Sequence, residues 1–232
     1  MGQGLEITQD DRGVVVVSLA RPPDNSFTVA MCQELSQLLA SPPAGARLLH
    51  LRSDVGVFCR GREPAGQGAE AARATVEALT EATRLLSMTT LVTVAEVDGE
   101  AAGFGVGLVA QCDVAVASES SRFWFPEVTY GLAPALVLSW LPRLVGRRDA
   151  FWLTATGTVL SATEAQQLGL INFIAGPGAL RSRVDEVLSQ LLQFAAEVHQ
   201  EIKRDLRDFA QVDQATTYRI ARDRLLLTSV IH

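Results

Sequence analysis

The chain has 232 residues, 48% hydrophobic and 20% charged, so it can bury a sizeable core, and general disorder is excluded. A net charge of −6 and a pI near 5.1 give no overall attraction to nucleic acid and leave only a local basic patch to hold a phosphate. Three scattered cysteines, Cys32, Cys59 and Cys112, and three scattered histidines offer neither a disulfide framework nor a zinc-type ligand set, and no metal is expected.

In chain order, residues 5–8 and 14–20 are β-rich runs around Asp10-Asp11-Arg12-Gly13 and predict a strand, a turn and a strand. After the punctuation of Arg21-Pro22-Pro23-Asp24-Asn25, residues 28–39 carry Val29, Cys32, Leu35 and Leu39 at helical spacing. Residues 47–52 predict a short buried strand. The Gly/Pro-rich loop 61–68 leads into a long helix over 69–87, followed by a strand at 91–97, a short helix at 103–111 and a strand at 113–117. Such alternation predicts α/β architecture with mostly parallel strands buried on both faces. Beyond Pro134 helices dominate, with one strand at 171–174. Gly176-Pro177-Gly178 marks a boundary before two or three amphipathic helices. The first twelve residues are largely polar, and no apolar stretch reaches the roughly 18 residues of a membrane span. Neither a leader nor a span is expected, and a reducing cytoplasm is the expected location.

Three segments have the residue types that chemistry needs. Phe58-Cys59-Arg60-Gly61-Arg62 follows a strand, and its glycine lets the backbone approach a ligand closely; an ordinary strand-to-helix loop is the plainer reading. Cys59 has no histidine near it in sequence and reads as a structural thiol rather than a nucleophile. Gly103-Phe104-Gly105-Val106-Gly107 carries the chain from a tight turn into a helix, exposing unpaired N–H groups and the positive end of the helix dipole. Its Gly-x-Gly-x-Gly spacing departs from the dinucleotide fingerprint, and the next strand comes too soon. An oxyanion hole is the other use for such donors. In Phe123-Trp124-Phe125-Pro126-Glu127-Val128 one carboxylate lies among aromatic residues, where burial raises its pKa toward that of a general base or acid at neutral pH. A surface glutamate at a turn fits that segment equally well.

Taken together and in this order, these segments resemble the crotonase (enoyl-CoA hydratase/isomerase) superfamily. The resemblance rests on Arg21-Pro22 with Asn25, on Phe58-Cys59-x-Gly61, and on the Gly-rich turn ending in Cys112-Asp113. It extends through Pro126-Glu127-Val128 with Gly131 to Gly157, Ser161-Ala162-x-x-Ala165 and Leu168-Gly169-Leu170. It implies a spiral core of ββα turns over residues 1–175, with a C-terminal helical region over 176–232 that supports trimers or covers the acyl pocket. It also implies binding of acyl-CoA thioesters, with coenzyme A carried by the substrate and no separate cofactor, and assembly as a homotrimer or hexamer. Family members commonly continue past the position of His232: either the protein is naturally short, in which case an acyl pocket more open or covered by a neighbouring subunit is expected, or the sequence is truncated.

Residue by residue, the resemblance makes the backbone N–H groups of Arg62 and Phe104 the oxyanion donors and Glu127 the catalytic carboxylate. Coenzyme A would lie along Asn25, Ser26, Cys59, Arg60 and Gly61, with Gly103 and Pro126 beside it, mostly against backbone. Phe104 stands where the family commonly has glycine, so its ring must find room or reshape the acyl pocket. The family's hydratases use two glutamates. The second matches Glu127, and the first falls at Gly107, which has no side chain. A single carboxylate suits a double-bond isomerase that shuttles one proton, or a specialised hydratase. The alternatives are a crotonase-fold protein that binds fatty acyl-CoA without transforming it, and a decarboxylase or hydratase acting on a carrier-bound acyl group. Glu63, Asp98 and Glu100 are further acids near these segments, read as solvated or structural charges.

Overall fold

The computed structural model describes residues 4–231, with side chains through residue 227. Residues up to Gln193 form one compact unit, and residues from Phe194 onward form a second.

The first unit is built on a six-stranded sheet in the order β1 (Leu5–Gln9), β2 (Val14–Leu19), β3 (Leu48–Ser53), β4 (Val92–Val97), β6 (Val114–Ser118) and β9 (Phe173–Ala175). Only β1 and β2 pair antiparallel, across the Asp10 turn; all later neighbours are parallel. The expected strand alternation holds, because strands buried on both faces need no polar side and read as near-continuous apolar runs. Val15, Val17, Leu49, Leu51, Ala95, Val97, Ala115 and Ala117 face the main core, where α1 (Val29–Ala40), α2 (Ala69–Met88) and α3 (Phe104–Gln111) pack. Val14, Leu48, Val92, Val94 and Val116 form a second core with α8 (Leu180–Leu192). Thus α8, assigned by sequence to the C-terminal region, packs on the sheet and belongs to the first unit.

Buried polar residues interrupt the second core face, His50 and Glu96 among them. His50 Nε2 lies 2.8 Å from Glu96 Oε2, and Arg181 of α8 reaches the same oxygen at 3.1 Å. Sequence periodicity gave no sign of this buried group.

A second, smaller sheet runs in the order β5 (Glu100–Ala102), β7 (Arg122–Trp124) and β8 (Leu160–Ser161). The chain therefore leaves the large sheet at β4 and β6 and at once adds a short strand, β5 or β7, to the small one. Two isolated parallel bridges, Cys59 with Ala101 and Phe27 with Arg62, belong to the same loop layer. The sequence reading missed β5, β7 and β8, because two or three residues are too few to show a strand period. A 3₁₀ turn over Pro126–Tyr130 follows β7. Then come α4 (Ala135–Leu138), α5 (Leu141–Val145), α6 (Arg147–Thr156) and α7 (Ala162–Gln167). Ser161 starts α7 with a capping box in which its hydroxyl and the Glu164 carboxylate satisfy each other's backbone N–H groups.

In the second unit, α9 (Ala196–Phe209) and α10 (Gln214–Ile231) are joined by Arg224, which pairs with Asp205 and Asp208. No described helix is long and apolar enough to cross a membrane.

Candidate active site

The loop after β3 is held from behind by Asn25. This residue is fully buried, at φ +53°, and its side-chain amide donates to the carbonyls of Val57 and Phe58 and to the Ser53 hydroxyl. Its Oδ1 accepts from the Arg21 N–H at 2.8 Å. All of these partners are internal, so this side chain braces the loop after β3 rather than reaching out of it. Ser26 is fixed beside it by Asp24, whose carboxylate accepts the Ser26 N–H. The Arg60 N–H donates to the Asp24 carbonyl, and the Arg60 guanidinium pairs with Glu100. Cys59 is buried, its thiol directed to the Gly61 carbonyl, and burial pushes its pKa up to about 12. A thiol that resists ionisation is structural, as its sequence context suggested. Glu63 is likewise engaged, pairing with Arg21.

The Phe27 bridge orients Arg62. Phe27 donates to the Gly61 carbonyl and accepts from the Glu63 N–H, both at 2.9 Å. In a parallel pair this straddled pattern leaves the N–H of the middle residue, Arg62, directed away from Phe27. Phe104 opens α3, so its N–H has no partner within the helix and lies at the positive end of the dipole. The Gly103 N–H before it bonds to the Trp124 carbonyl at 2.9 Å, which docks the turn on β7. The Phe104 ring finds room by packing against Phe27, with ring centroids 5.3 Å apart.

Glu127 is delivered by the 3₁₀ turn, which Pro126 starts and Gly131 ends in the left-handed region. Its carbonyl accepts from the Leu132 N–H at 3.0 Å. The carboxylate rests on the glycine turn: a Cβ on Gly103 would lie 2.9 Å from Oε1. Oε2 is buried and meets no hydrogen-bond partner among the described residues. Burial raises the Glu127 pKa, and its own backbone N–H and the charge of Arg62 only partly oppose this.

Arg62, Phe104 and Glu127 line one cavity of about 260 Å³, closed by Val76, Leu79 and Thr80 of α2 and by the segment 132–137. Three residues from distant segments of the chain thus line one partly open space. A larger groove of about 920 Å³ between α6 and the 3₁₀ turn contains none of the three, but Leu132, Ala133 and Pro134 line both spaces. The lining from α2 and 132–137 escaped the sequence reading. So did Trp140, whose ring faces Gly107, because a lone tryptophan in an apolar stretch reads simply as core.

The family described as enoyl-CoA hydratase/isomerase matches residues 9–232. The chain belongs to the enoyl-CoA hydratase/isomerase family. Among relatives, the enoyl-CoA isomerase/hydratase fer4 of Mycosarcoma maydis is 34% identical over 155 residues, covering 65% of this chain and 56% of that protein. The probable mitochondrial enoyl-CoA hydratase 2 of Arabidopsis thaliana is 28% identical over 193 residues, covering 80% of this chain and 64% of that one. The matches span 56% and 64% of these two curated relatives' length. Among solved structures, a putative enoyl-CoA hydratase from Thermobifida fusca YX in complex with acetoacetyl-CoA has a TM-score of 0.90 at 27% identity, covering 100% of this chain and 96% of that one. An enoyl-CoA hydratase of Mycobacterium smegmatis has a TM-score of 0.89 at 27% identity, covering 97% and 90%. The two-sheet α/β architecture is therefore the crotonase fold of the enoyl-CoA hydratase/isomerase family.

Proposed function

We propose that the protein binds acyl-CoA thioesters and shifts a carbon–carbon double bond, with Glu127 as its single proton carrier. The observation that supports this best is the shared cavity of Arg62, Phe104 and Glu127. The thioester oxygen accepts the Arg62 and Phe104 N–H groups, which stabilise the negative charge that develops there. Glu127 removes a proton from C2 of a 3-enoyl thioester, and the C–H electron pair flows toward the carbonyl to form a dienolate. The protonated Glu127 returns the proton at C4 as the double bond settles between C2 and C3. A raised pKa suits a group that must both take and return a proton near neutrality.

Hydration places water on C3 and a proton on C2, and is easier to organise with two carboxylates than with one. Gly107 offers no second carboxylate, which favours isomerisation over hydration. The chemistry uses no cofactor beyond the coenzyme A that the substrate carries, held along the loops at Asn25–Ser26 and Cys59–Gly61 mostly through backbone. Glu127→Gln tests the reading: turnover of 3-enoyl-CoA is expected to fall by about 10²–10⁴-fold, with acyl-CoA affinity by calorimetry largely kept. Tight binding with no turnover by the wild type across a panel of thioesters would instead support an acyl-CoA-binding role.

The reading includes self-association as a trimer or hexamer. Phe151 and Trp152 of α6 are exposed to 71% and 59%, beside an apolar groove. Light scattering at micromolar concentration checks this, and a monomeric mass would contradict it.

A further inference from the structure

The three glycines in and before α3 are not equivalent. A Cβ on Gly105 would lie 2.1 Å from the Cys59 carbonyl oxygen, and one on Gly103 lies against Glu127. Backbone packing demands glycine at 105, and the positive φ of +49° favours it at 103. A Cβ on Gly107 meets one described neighbour within 4 Å beyond its own helix backbone, Cζ2 of Trp140 at 3.7 Å, which is an ordinary contact. Glycine at 107 is therefore not imposed by backbone crowding, and what lies above it is an indole.

That space lies on the helix that begins at the turn beside Glu127. The Gly107 N–H bonds to the Gly103 carbonyl at 3.1 Å, so Gly107 lies one helical turn beyond the residue that supports Glu127. Trp140 is anchored between α4 and α5, its ring tilted at 55° against Phe125 with centroids 6.2 Å apart. Phe125 is buried and stands two residues before Glu127. One aromatic pair thus connects the floor of the 3₁₀ turn to the open face of Gly107.

We propose that Trp140 is a positioning residue that decides between two outcomes for a bound enoyl thioester: its indole closes the space over Gly107, so that the thioester exchanges a proton with Glu127 rather than adding water. This rests on Glu127 being the base. Any side chain at 107 would start 3.7 Å from the Trp140 ring, which links the glycine to the tryptophan.

The experiment compares the wild type with Trp140→Ala and Trp140→Phe, each checked for folding by circular dichroism. It measures 3-hydroxyacyl-CoA formation from a short 2-enoyl-CoA against double-bond shift in the matching 3-enoyl-CoA. The ratio of hydration to isomerisation is expected to rise about tenfold in Trp140→Ala. Trp140→Phe, which restores an apolar ring, brings the ratio back toward wild type. Should the alanine variant not fold, Trp140→Leu opens part of the same space and carries the same expectation. An unchanged ratio in a folded variant overturns the proposal. A wild type that turns over neither thioester overturns the reading of Glu127 instead. Crystal structures with acyl-CoA then decide the seal by themselves. A water bonded to Glu127 from the Gly107 side in the variant alone supports the proposal, and the same water in the wild type overturns it.

Discussion

The Glu127 carboxylate lies beside the Gly103 turn: a Cβ on Gly103, at φ +49°, would stand 2.9 Å from Oε1. The turn that presents the Phe104 N–H is thereby also the support of the proposed base.

Gly103→Ala is expected to act on both. The left-handed backbone makes the alanine strained by about 1–3 kcal/mol, and the added methyl group pushes the carboxylate aside. Turnover should fall by roughly 10²-fold, the usual consequence of misplacing a catalytic group by an ångström. Denaturant melts and steady-state kinetics on the same preparation would show both effects; unchanged kinetics in a folded variant would separate the turn from the base.

The pH dependence follows from burial of Glu127, which raises its pKa above the ordinary 4.5. Turnover needs the ionised form, so kcat/KM should climb as pH passes through the raised value. Stability moves the other way. Folding favours the protonated form, so this contribution is complete below the unfolded value and is lost as pH rises through the folded one. Glu127→Gln removes that loss, and its melting temperature should gain on the wild type as pH rises from about 4.5 through the raised value. A difference that stays flat over the range would contradict a raised pKa.

Gly105 and Gly107 predict opposite outcomes from the same substitution. Gly105→Ala drives a methyl group into the Cys59 carbonyl, which itself accepts the Ala102 N–H at 2.8 Å, and should cost about 3 kcal/mol. Gly107→Ala makes only an ordinary contact and gains helix propensity, so it should stabilise by up to about 1 kcal/mol. Thermal melts of the two variants side by side test the claim that only one of these glycines is imposed by packing.

Glu96→Ala leaves His50 buried without its acceptor and should destabilise the protein by about 1–3 kcal/mol. Glu96 alternates along β4 with Ala95 and Val97, which face the main core, so it lies on the other side of the sheet from α3. Turnover at moderate temperature should therefore survive the change, as a kinetic assay below the lowered melting point would show.

Much of the scaffold was legible because it is written in local patterns. Near-continuous apolar runs such as Val14–Leu19, interrupted only by Ser18, mark strands buried on both faces, and the spacing of Cys32, Leu35 and Leu39 marks a helix side. The order of the glycine turn, Pro126 and Glu127 made the family resemblance, and with it the candidate residues, visible before any coordinates. The sequence could also register that Gly107 carries no carboxylate. It had no means of showing what stands there instead. Trp140 faces Gly107, Glu96 meets His50, and the side chain of Asn25 turns inward to the loop at Val57 and Phe58. Each is a contact between segments far apart along the chain, decided by how the elements pack and not by the propensities of the residues around them. The sequence by itself determined the longer elements and the chemistry available. Only the tertiary structure decided which of those groups share a cavity, because packing has no local period from which it could be read.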